Sequence, residues 1–361
     1  MSEIERCEMT KSREASRVLV LGTSVSTRGG IAEVIKRTLS LRSNKYSFKL
    51  VATHIDARPR KKLFHFVRAC LFVIQNGRNY DICHVHFSQI LSLCRKAFLL
   101  LLLPRKVSVV AHYHAAKAEI NFNWVEKGLI RFIGRRSKKF IVLSEMWSKA
   151  LIVNELIVPR KLVVIYNPAK NLDSGVLSNV RRDQILFAGT LNKRKNYSTL
   201  IEALALLPSE FDSVHLVLAG NGEIDKASEL AHRLDVHDRV HLPGWLSSEE
   251  VSKLYRNSAV FCLPSFAEGL PMALIDAWSN DLPVVCSQVG GIADVLRREE
   301  AALIVDPGNA SDIADCLAEA LANGETRLRL IESGRRLVQE HFALPVYLQA
   351  ITTVYSGLDR N

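Results

Sequence analysis

Short apolar segments alternate with longer amphipathic segments along the whole chain, and this alternation limits the fold more than any other feature. Runs rich in β-branched residues predict strands. They lie at 17–22, 48–53, 82–87, 107–112, 139–144 and 162–166, and at 185–189, 214–220, 239–242, 259–263, 283–286 and 302–305. Because helical patterns separate most of them, we expect an α/β fold with parallel sheets covered on both faces. Two sets of six strands predict two Rossmann-like, doubly wound domains.

The boundary between these domains is predicted near residue 170. The segment 167–183 is rich in Asn, Ser, Pro and Gly, which is typical of a linker. We expect a first domain over 1–170, a second over 171–342, and a C-terminal helix within 343–361 that packs back on the first domain.

Composition and cysteine usage indicate a packed cytoplasmic protein. Hydrophobic residues make up 48% of the chain, and the longest apolar run, at 97–104, is too short to span a bilayer. The polar N-terminus lacks the apolar core of a signal peptide. The seven cysteines form no CxxC pair, so we expect reduced thiols that serve mostly as small core residues.

Charge is distributed unequally between the two halves. Residues 1–170 carry 31 Lys and Arg against 11 Asp and Glu, whereas residues 171–361 carry 17 against 26. The first half, at a net +20, therefore favours an anionic surface, and the second half, at −9, does not.

Ligands of such folds bind at the carboxyl ends of the strands, so the residues that follow each strand are candidates. Gly29 and Gly30 follow the first strand and precede a helix, where backbone N–H groups could approach an anion. A tight turn that needs positive φ explains them equally well. His112 and His114 end the fourth strand on the same side, which favours a binding role over a pair of buried core residues.

Charged residues follow two strands of the second half. Lys193, Arg194 and Lys195 lie in a loop that leads into a helix, which suits a diphosphate, although a solvated basic turn has the same appearance. Glu268 precedes a Gly-Leu-Pro turn, and Asp276 lies more than one turn into the helix that follows. One carboxylate could bind sugar hydroxyls and the other ribose hydroxyls; the alternative is a helix-start acid and a surface acid.

The HVH sequence at 84–86 raises the question of a metal site. We expect none, because no nearby Cys, Asp or Glu completes a ligand set with metal spacing. The Asp-x-Asp motif that holds a metal for a sugar nucleotide does not occur in the sequence. GxGxxG is also missing after the first strand, which argues against a nicotinamide dehydrogenase.

Together these motifs resemble the family-4 retaining glycosyltransferases of the GT-B fold. The family signature is a glutamate, seven residues and a second glutamate, usually EG(F/L)(G/P)xxxxEA, and it reads EGLPMALIDA at 268–277. The resemblance continues through 283–296, 303–317, the GTLNKRKN loop and the VLAGNG turn, and covers nearly all of the second half. In the first half it is weaker and is carried by GGI, HVHFS, HYHAA, VLSE and YNP. The chain is similar to the exopolysaccharide and lipopolysaccharide branches.

The resemblance implies that the second domain binds a nucleotide sugar and that three residues lie at the reaction centre. His114 would line the donor sugar, Glu268 would contact it, and Lys195 would bind the diphosphate. The implied reaction is glycosyl transfer with retained anomeric configuration and without a metal or other cofactor. The cations and a helix dipole would stabilise the departing nucleoside diphosphate.

Other matching residues would bind the donor, which we expect to be UDP- or GDP-linked. Gly29 and Gly30 would lie beside the diphosphate, and Asp276 would hold the ribose. The remaining donor-binding candidates are Arg194, Gly269, Leu270 and Pro271.

Two positions depart from the family pattern. Asp276 stands where the family has its second glutamate, and Thr190 stands where it has an arginine that binds the diphosphate. Asp276 is one methylene shorter than glutamate, so we expect altered donor affinity rather than lost activity. Lys193 or Arg194 could supply the cation that is missing at position 190. The alternative is a non-catalytic GT-B protein that binds a sugar nucleotide or serves as a scaffold.

In GT-B enzymes the first domain usually receives the acceptor. Here it contains a basic and apolar segment at 58–74, with Arg60, Lys61, Lys62 and Arg68, that resembles an interfacial helix. Anionic lipid attracts each nearby Lys or Arg by about 1 kcal/mol. We therefore expect peripheral attachment to the inner membrane face and a lipid-linked glycan acceptor. The alternative is a buried helix with basic flanks, and no nucleic-acid-binding motif supports a nucleic acid as the partner of the basic half.

Overall fold

The computed structural model describes residues 15–27, 29–41, 45–114, 121–170, 183–296 and 300–358, which contain two six-stranded sheets. The first sheet consists of β1 (Ser16–Thr23), β2 (Tyr46–His54), β3 (Ile82–Phe87), β4 (Ser108–Tyr113), β5 (Lys139–Val142) and β6 (Leu162–Val164). The second consists of β7 (Gln184–Ala188), β8 (His215–Ala219), β9 (Val240–Gly244), β10 (Val260–Leu263), β11 (Val284–Cys286) and β12 (Leu303–Ile304).

Both sheets are parallel and doubly wound. Their strand orders are β2-β1-β3-β4-β5-β6 and β12-β11-β10-β7-β8-β9. All twelve predicted strands are present, and their ends agree with the prediction to within two residues. The predicted α/β fold with two Rossmann-like domains is confirmed.

Helices connect the strands and cover the sheets. The first domain contains α1 (Gly30–Leu39), α2 (Pro59–Asn76), α3 (Ile90–Leu102), α4 (Trp124–Arg136) and α5 (Glu145–Val153). After β7 come α6 (Tyr197–Leu206), α7 (Ile224–Arg233), α8 (Ser248–Asn257), α9 (Met272–Ser279), α10 (Gly291–Leu296), α11 (Ala310–Ala322), α12 (Gly324–Leu337) and α13 (Leu344–Ser356). Capping boxes begin α4 and α8, where Asn123 pairs with Glu126 and Ser247 with Glu250.

Both faces of the first sheet are buried, and its strand β1 is apolar on both, as a sheet covered by helices requires. Leu19 and Leu21 of β1 belong to one buried cluster, and the alternating residues Val18 and Val20 belong to another on the opposite face. Tyr347 of α13 lies in the second cluster and shares a hydrogen bond of 2.6 Å with a threonine hydroxyl of α1. The last helix of the chain therefore packs on the first domain.

Two chain segments pass between the domains, and they are joined where they cross. The first follows β6, and the predicted linker continues through residues 171–182, which lie outside the described residues. The second is the single π-helical turn Val338–Phe342 before α13. The amide of Ala169 in the first segment donates a hydrogen bond of 2.6 Å to the carbonyl of Phe342 in the second.

Candidate active site

A cavity of about 600 Å³ lies between the domains, at the carboxyl ends of both sheets. This volume is typical of a site for a small-molecule ligand. All ten residues predicted to be catalytic or donor-binding line it: Gly29, Gly30, His114, Arg194, Lys195, Glu268, Gly269, Leu270, Pro271 and Asp276. They come from five separate segments of the chain, and the sheet topology brings these segments together.

Glu268 lies at the centre of the charged groups. It is 4% exposed and forms two ion pairs, at 2.6 Å with Nζ of Lys195 and at 3.1 Å with the guanidinium of Arg194. The hydroxyl of Ser265 donates a third contact, of 3.0 Å, to Oε1 of the same carboxylate. Ser265 was not among the residues predicted from the sequence, although it lies in the same loop as Glu268.

These contacts keep Glu268 ionised despite its burial. Burial alone would raise the pKa of Glu268, but the positive charges of Lys195 and Arg194 outweigh it and hold that pKa below its ordinary value. The Lys195 ammonium has three N–H donors, and one is directed at Glu268. Donors therefore remain on Lys195 for a second anion in the cavity.

The two loops that present these charges are bonded to each other. The amide of Phe266 donates to the carbonyl of Arg194 at 2.9 Å, and the Arg194 guanidinium donates to the carbonyl of Ala267 at 2.6 Å. A Cβ atom at Gly290, where φ is +57°, would overlap the carbonyl of Glu268. Glycine is therefore required beneath this loop, and the position of Glu268 is fixed by backbone packing as well as by charge.

The glycine pair of the first domain lies on the opposite side of the cavity. Gly29 has φ of +126°, a conformation that favours glycine, and α1 begins at the next residue. The free N–H groups at the N-terminus of α1 therefore lie at the cavity wall, where they form a site suited to a phosphate.

Asp276 is not a surface residue. It lines the cavity from α9 and lies 3.4 Å from the guanidinium of Arg37, which belongs to α1 of the other domain. Burial raises the pKa of Asp276, and the Arg37 charge offsets part of that rise. Arg37 also donates a hydrogen bond to the carbonyl of Pro168. Sequence reasoning missed Arg37, because nothing in a single helix shows that it faces a carboxylate 239 positions away.

His114 is neutral and contacts another histidine. Burial lowers its pKa to about 3, and its Nε2 atom lies 3.0 Å from Nδ1 of His86. His112, unlike His114, does not lie at the cavity. The predicted binding role at the end of β4 does not extend to His112 in this cavity, because His112 is fully buried and does not line it.

Thr190 and the two cations expected to compensate for it differ in their position relative to the cavity. Thr190 lines the cavity, and Arg194 places its guanidinium beside Glu268. Lys193 is exposed and does not line the cavity. Of the two residues expected to compensate, Arg194 lines the cavity and Lys193 does not.

The basic residues Arg60, Lys61, Lys62 and Arg68 lie on α2, and none of them lines the cavity. Apolar side chains of the same helix are exposed by 47 to 64%: Leu63, Phe64, Val67, Leu71 and Ile74. Three apolar residues of the neighbouring α3 are exposed by 48 to 71%: Leu91, Phe98 and Leu101. The alternative that α2 is a buried helix is therefore wrong. No helix in the described part of the chain is long and apolar enough to cross a membrane.

Comparisons with known families cover both domains. The family model described as Glycosyltransferase Family 4 matches residues 32–170, and that described as Glycosyl transferases group 1 matches residues 170–337. The chain belongs to the family-4 glycosyltransferases. Solved structures show that this family-4 chain has the GT-B fold. The HepE protein of Anabaena, solved with UDP and glucose, is 16% identical with a TM-score of 0.74, and the alignment covers 95% of this chain and 100% of that one.

Curated relatives of this family-4 chain include enzymes of glycan synthesis. An MMP α-(1→4)-mannosyltransferase of Mycolicibacterium hassiacum is 26% identical over 85% of this chain and 77% of its own length. The lipopolysaccharide core biosynthesis glycosyltransferase LpsE of Rhizobium meliloti is 32% identical over 48% of each chain. The chain spans between 44 and 65% of the length of the first three curated relatives that it matches.

Proposed function

We propose that this chain transfers a sugar from a UDP- or GDP-linked donor to a lipid-linked or polysaccharide acceptor, with retention of the anomeric configuration. The observation that carries the proposal is the arrangement of Lys195 and Arg194 around the buried Glu268, opposite the N-terminus of α1. Two cations and a helix N-terminus that line one cavity suit a diphosphate, and a buried carboxylate between them suits sugar hydroxyls.

Each group has a defined part in the proposed reaction. The bond between the anomeric carbon and the diphosphate oxygen breaks while the acceptor hydroxyl oxygen bonds to that carbon on the same face, and the hydroxyl proton passes to the departing diphosphate. Lys195, Arg194 and the α1 N-terminus stabilise the negative charge that develops on the leaving group. Asp276 binds the ribose, and Glu268 orients the transferred sugar. His114 is neutral, so it contributes a hydrogen bond rather than a charge to the donor sugar. The protein thus supplies the positive charge itself, and we propose that the cleft works without a metal.

A thermal-shift screen tests the donor site. UDP, GDP and their common sugar conjugates are added to the purified chain with and without EDTA, because a bound ligand raises the melting temperature by mass action. We expect a shift with one nucleotide that EDTA leaves unchanged. Lys195→Ala and Glu268→Ala should abolish it, and Lys193→Ala, at the exposed neighbour, should retain it.

The same screen separates the proposed enzyme from a non-catalytic relative. Release of the nucleoside diphosphate and the anomeric configuration of the product, followed by NMR, report on transfer. A nucleotide-dependent shift without transfer or slow hydrolysis would favour the binding or scaffold protein. The absence of a shift with any nucleotide would refute the donor-site proposal.

We also propose that the acceptor lies at an anionic membrane surface that α2 and α3 contact. The exposed apolar residues of these helices form a patch beside Arg60, Lys61, Lys62 and Arg68, in the half of the chain with a net charge of +20. An apolar face flanked by basic side chains is the pattern of a helix that lies in a bilayer interface. The location that follows is the inner face of the cytoplasmic membrane, where anionic headgroups and lipid-linked glycans are both present.

Vesicle flotation tests this surface. We expect the protein to float with vesicles that contain phosphatidylglycerol and to remain in solution with pure phosphatidylcholine. Phe64→Glu together with Leu71→Glu should abolish flotation. Leu328→Glu is the matched control, because Leu328 is a similarly exposed leucine, at 63%, that lies on α12 of the other domain. Equal loss of flotation in the control variant would refute α2 as the contact.

A further inference from the structure

Three histidines are brought together in the interior of the first domain, behind the cavity wall. His84 and His86 lie on β3, and His112 lies directly beside His86 in the register of β4. All three are buried, at 0 to 1% exposure, and their ring centroids are 4.3 to 5.4 Å apart. One ring nitrogen from each can be chosen such that all lie within 4.8 Å of one another.

Several nitrogens of this cluster have no hydrogen-bond partner. They are Nε2 of His84, Nε2 of His86 and both ring nitrogens of His112. A buried polar atom without a partner costs about 1–3 kcal/mol, so such a group is rarely left bare. No second set of three potential metal ligands at this spacing was found among the described residues. The convergence of four unpartnered nitrogens therefore points to a ligand.

The remaining contacts of the cluster have the pattern found around metal-bound histidines. Nδ1 of His84 lies 2.7 Å from the hydroxyl of Tyr355, and Nδ1 of His86 lies 3.0 Å from Nε2 of His114. If each Nδ1–H donates to that partner, the unpartnered Nε2 of each ring carries the lone pair that could bind a metal. A histidine that binds a metal through one nitrogen usually donates from the other in this way.

We propose that His84, His86 and His112 bind a transition-metal ion of the zinc type. Neutral imidazoles favour Zn²⁺, Co²⁺, Ni²⁺ or Cu²⁺ over Mg²⁺ and Ca²⁺, which prefer oxygen ligands. Metal–nitrogen bonds of about 2.1 Å with tetrahedral angles need ligand nitrogens roughly 3.4 Å apart. The rings lie at interplanar angles of 7 to 33°, so they would have to rotate about their side-chain bonds to direct these nitrogens at one ion.

The proposed ion is structural and is distinct from the donor site. None of its three ligands lines the cavity. It would join two strands and, through the hydrogen bond of His84, the C-terminal helix α13 that carries Tyr355. The absence of metal expected from the sequence was argued from the lack of Cys, Asp or Glu near the HVH segment. His112, 26 positions after His86, completes the set because β4 pairs with β3.

Metal analysis of the full chain tests this inference. The protein is equilibrated with Zn²⁺, dialysed, and its metal content measured by plasma mass spectrometry; in parallel, the visible spectrum of the Co²⁺-loaded protein reports nitrogen ligands. A surface pair, His232 and His237, has rings 4.3 Å apart and could bind zinc adventitiously. We therefore use the His232→Ala/His237→Ala double variant as the background protein for every measurement.

We expect one equivalent of zinc on the background protein, a rise in its melting temperature with Zn²⁺ but not with Mg²⁺, and loss of both in His112→Leu. His84→Gln is a second, milder variant, which should weaken uptake at least tenfold, and circular dichroism identifies any variant that fails to fold. If the folded background protein takes up no zinc, the proposal is overturned whatever the variants do. Uptake that persists in folded His112→Leu and His84→Gln overturns it as well.

Discussion

Replacing Lys96 by methionine should stabilise the protein, and the gain should depend on pH. Lys96 lies on α3, is 1% exposed and donates a hydrogen bond to the hydroxyl of Thr53. Burial, with a smaller contribution from the charge of Arg95, lowers its pKa from 10.5 to about 7. The described structure gives Lys96 no ion pair with a carboxylate. The protein therefore folds around a lysine whose charged form is destabilised.

The magnitude follows from the two pKa values. Each unit of difference corresponds to 1.36 kcal/mol, so folding with a charged Lys96 costs on the order of 5 kcal/mol. Below pH 7 the side chain is protonated in both states and the cost is complete. Between pH 7 and 10.5 the folded state releases the proton, so this contribution to stability improves as pH rises. Methionine removes the cost but also a hydrogen bond worth about 1 kcal/mol.

The melting temperatures of Lys96→Met and wild type should therefore be compared from pH 6 to pH 9.5. We expect the variant to melt several degrees higher at pH 6, and the difference to shrink steadily above pH 7. Lys106→Met, at an exposed lysine just after the same helix, should show no such trend. A variant that is less stable than wild type at pH 6, or a difference that does not change with pH, would refute the reasoning.

Three further outcomes follow from the cavity. Asp276→Glu restores the family residue and should tighten nucleotide binding several-fold in titration calorimetry; weaker binding would show that α9 is adapted to the shorter acid. Gly290→Ala should lower stability by about 1–3 kcal/mol in urea unfolding, since its Cβ would meet the Glu268 carbonyl, whereas Gly324→Ala, with nothing within 4 Å, should be tolerated. Arg194→Met should weaken donor binding at least tenfold by calorimetry, and unchanged affinity would exclude it as the replacement cation.

The strands could be predicted because their signal is local. A parallel strand that is buried on both faces is a near-continuous apolar run, and Val18–Leu21 or Val260–Leu263 can be recognised without knowing what they pair with. The cavity residues could be located for a related reason. In a parallel sheet every strand ends at the same edge, so the residues after each strand must converge whatever the loops do.

What could not be predicted depends on side chains that meet across large sequence separations. The contact of Arg37 with Asp276 joins two domains, and neither helix shows it alone. The position of His112 depends on the register of β4 against β3, which alternation within one strand does not fix. The exposure of α2 also could not be predicted, because a helix with only Ala69 and Val73 fully buried can have the same apolar content as a helix that is buried all round.

The hydrogen bond between Ala169 and Phe342 restricts how the cleft can change its width. This bond holds the two interdomain segments side by side. The domains are therefore joined along one line rather than at two separate points. Sliding of one domain past the other would break this bond, whereas rotation about the line would preserve it. The expected motion is therefore a hinge rotation of one domain relative to the other. It changes the width of the cleft most at the side of the cleft farthest from the two interdomain segments. The distance between the α1 N-terminus and the Lys195 loop should therefore depend on one hinge angle between the two domains.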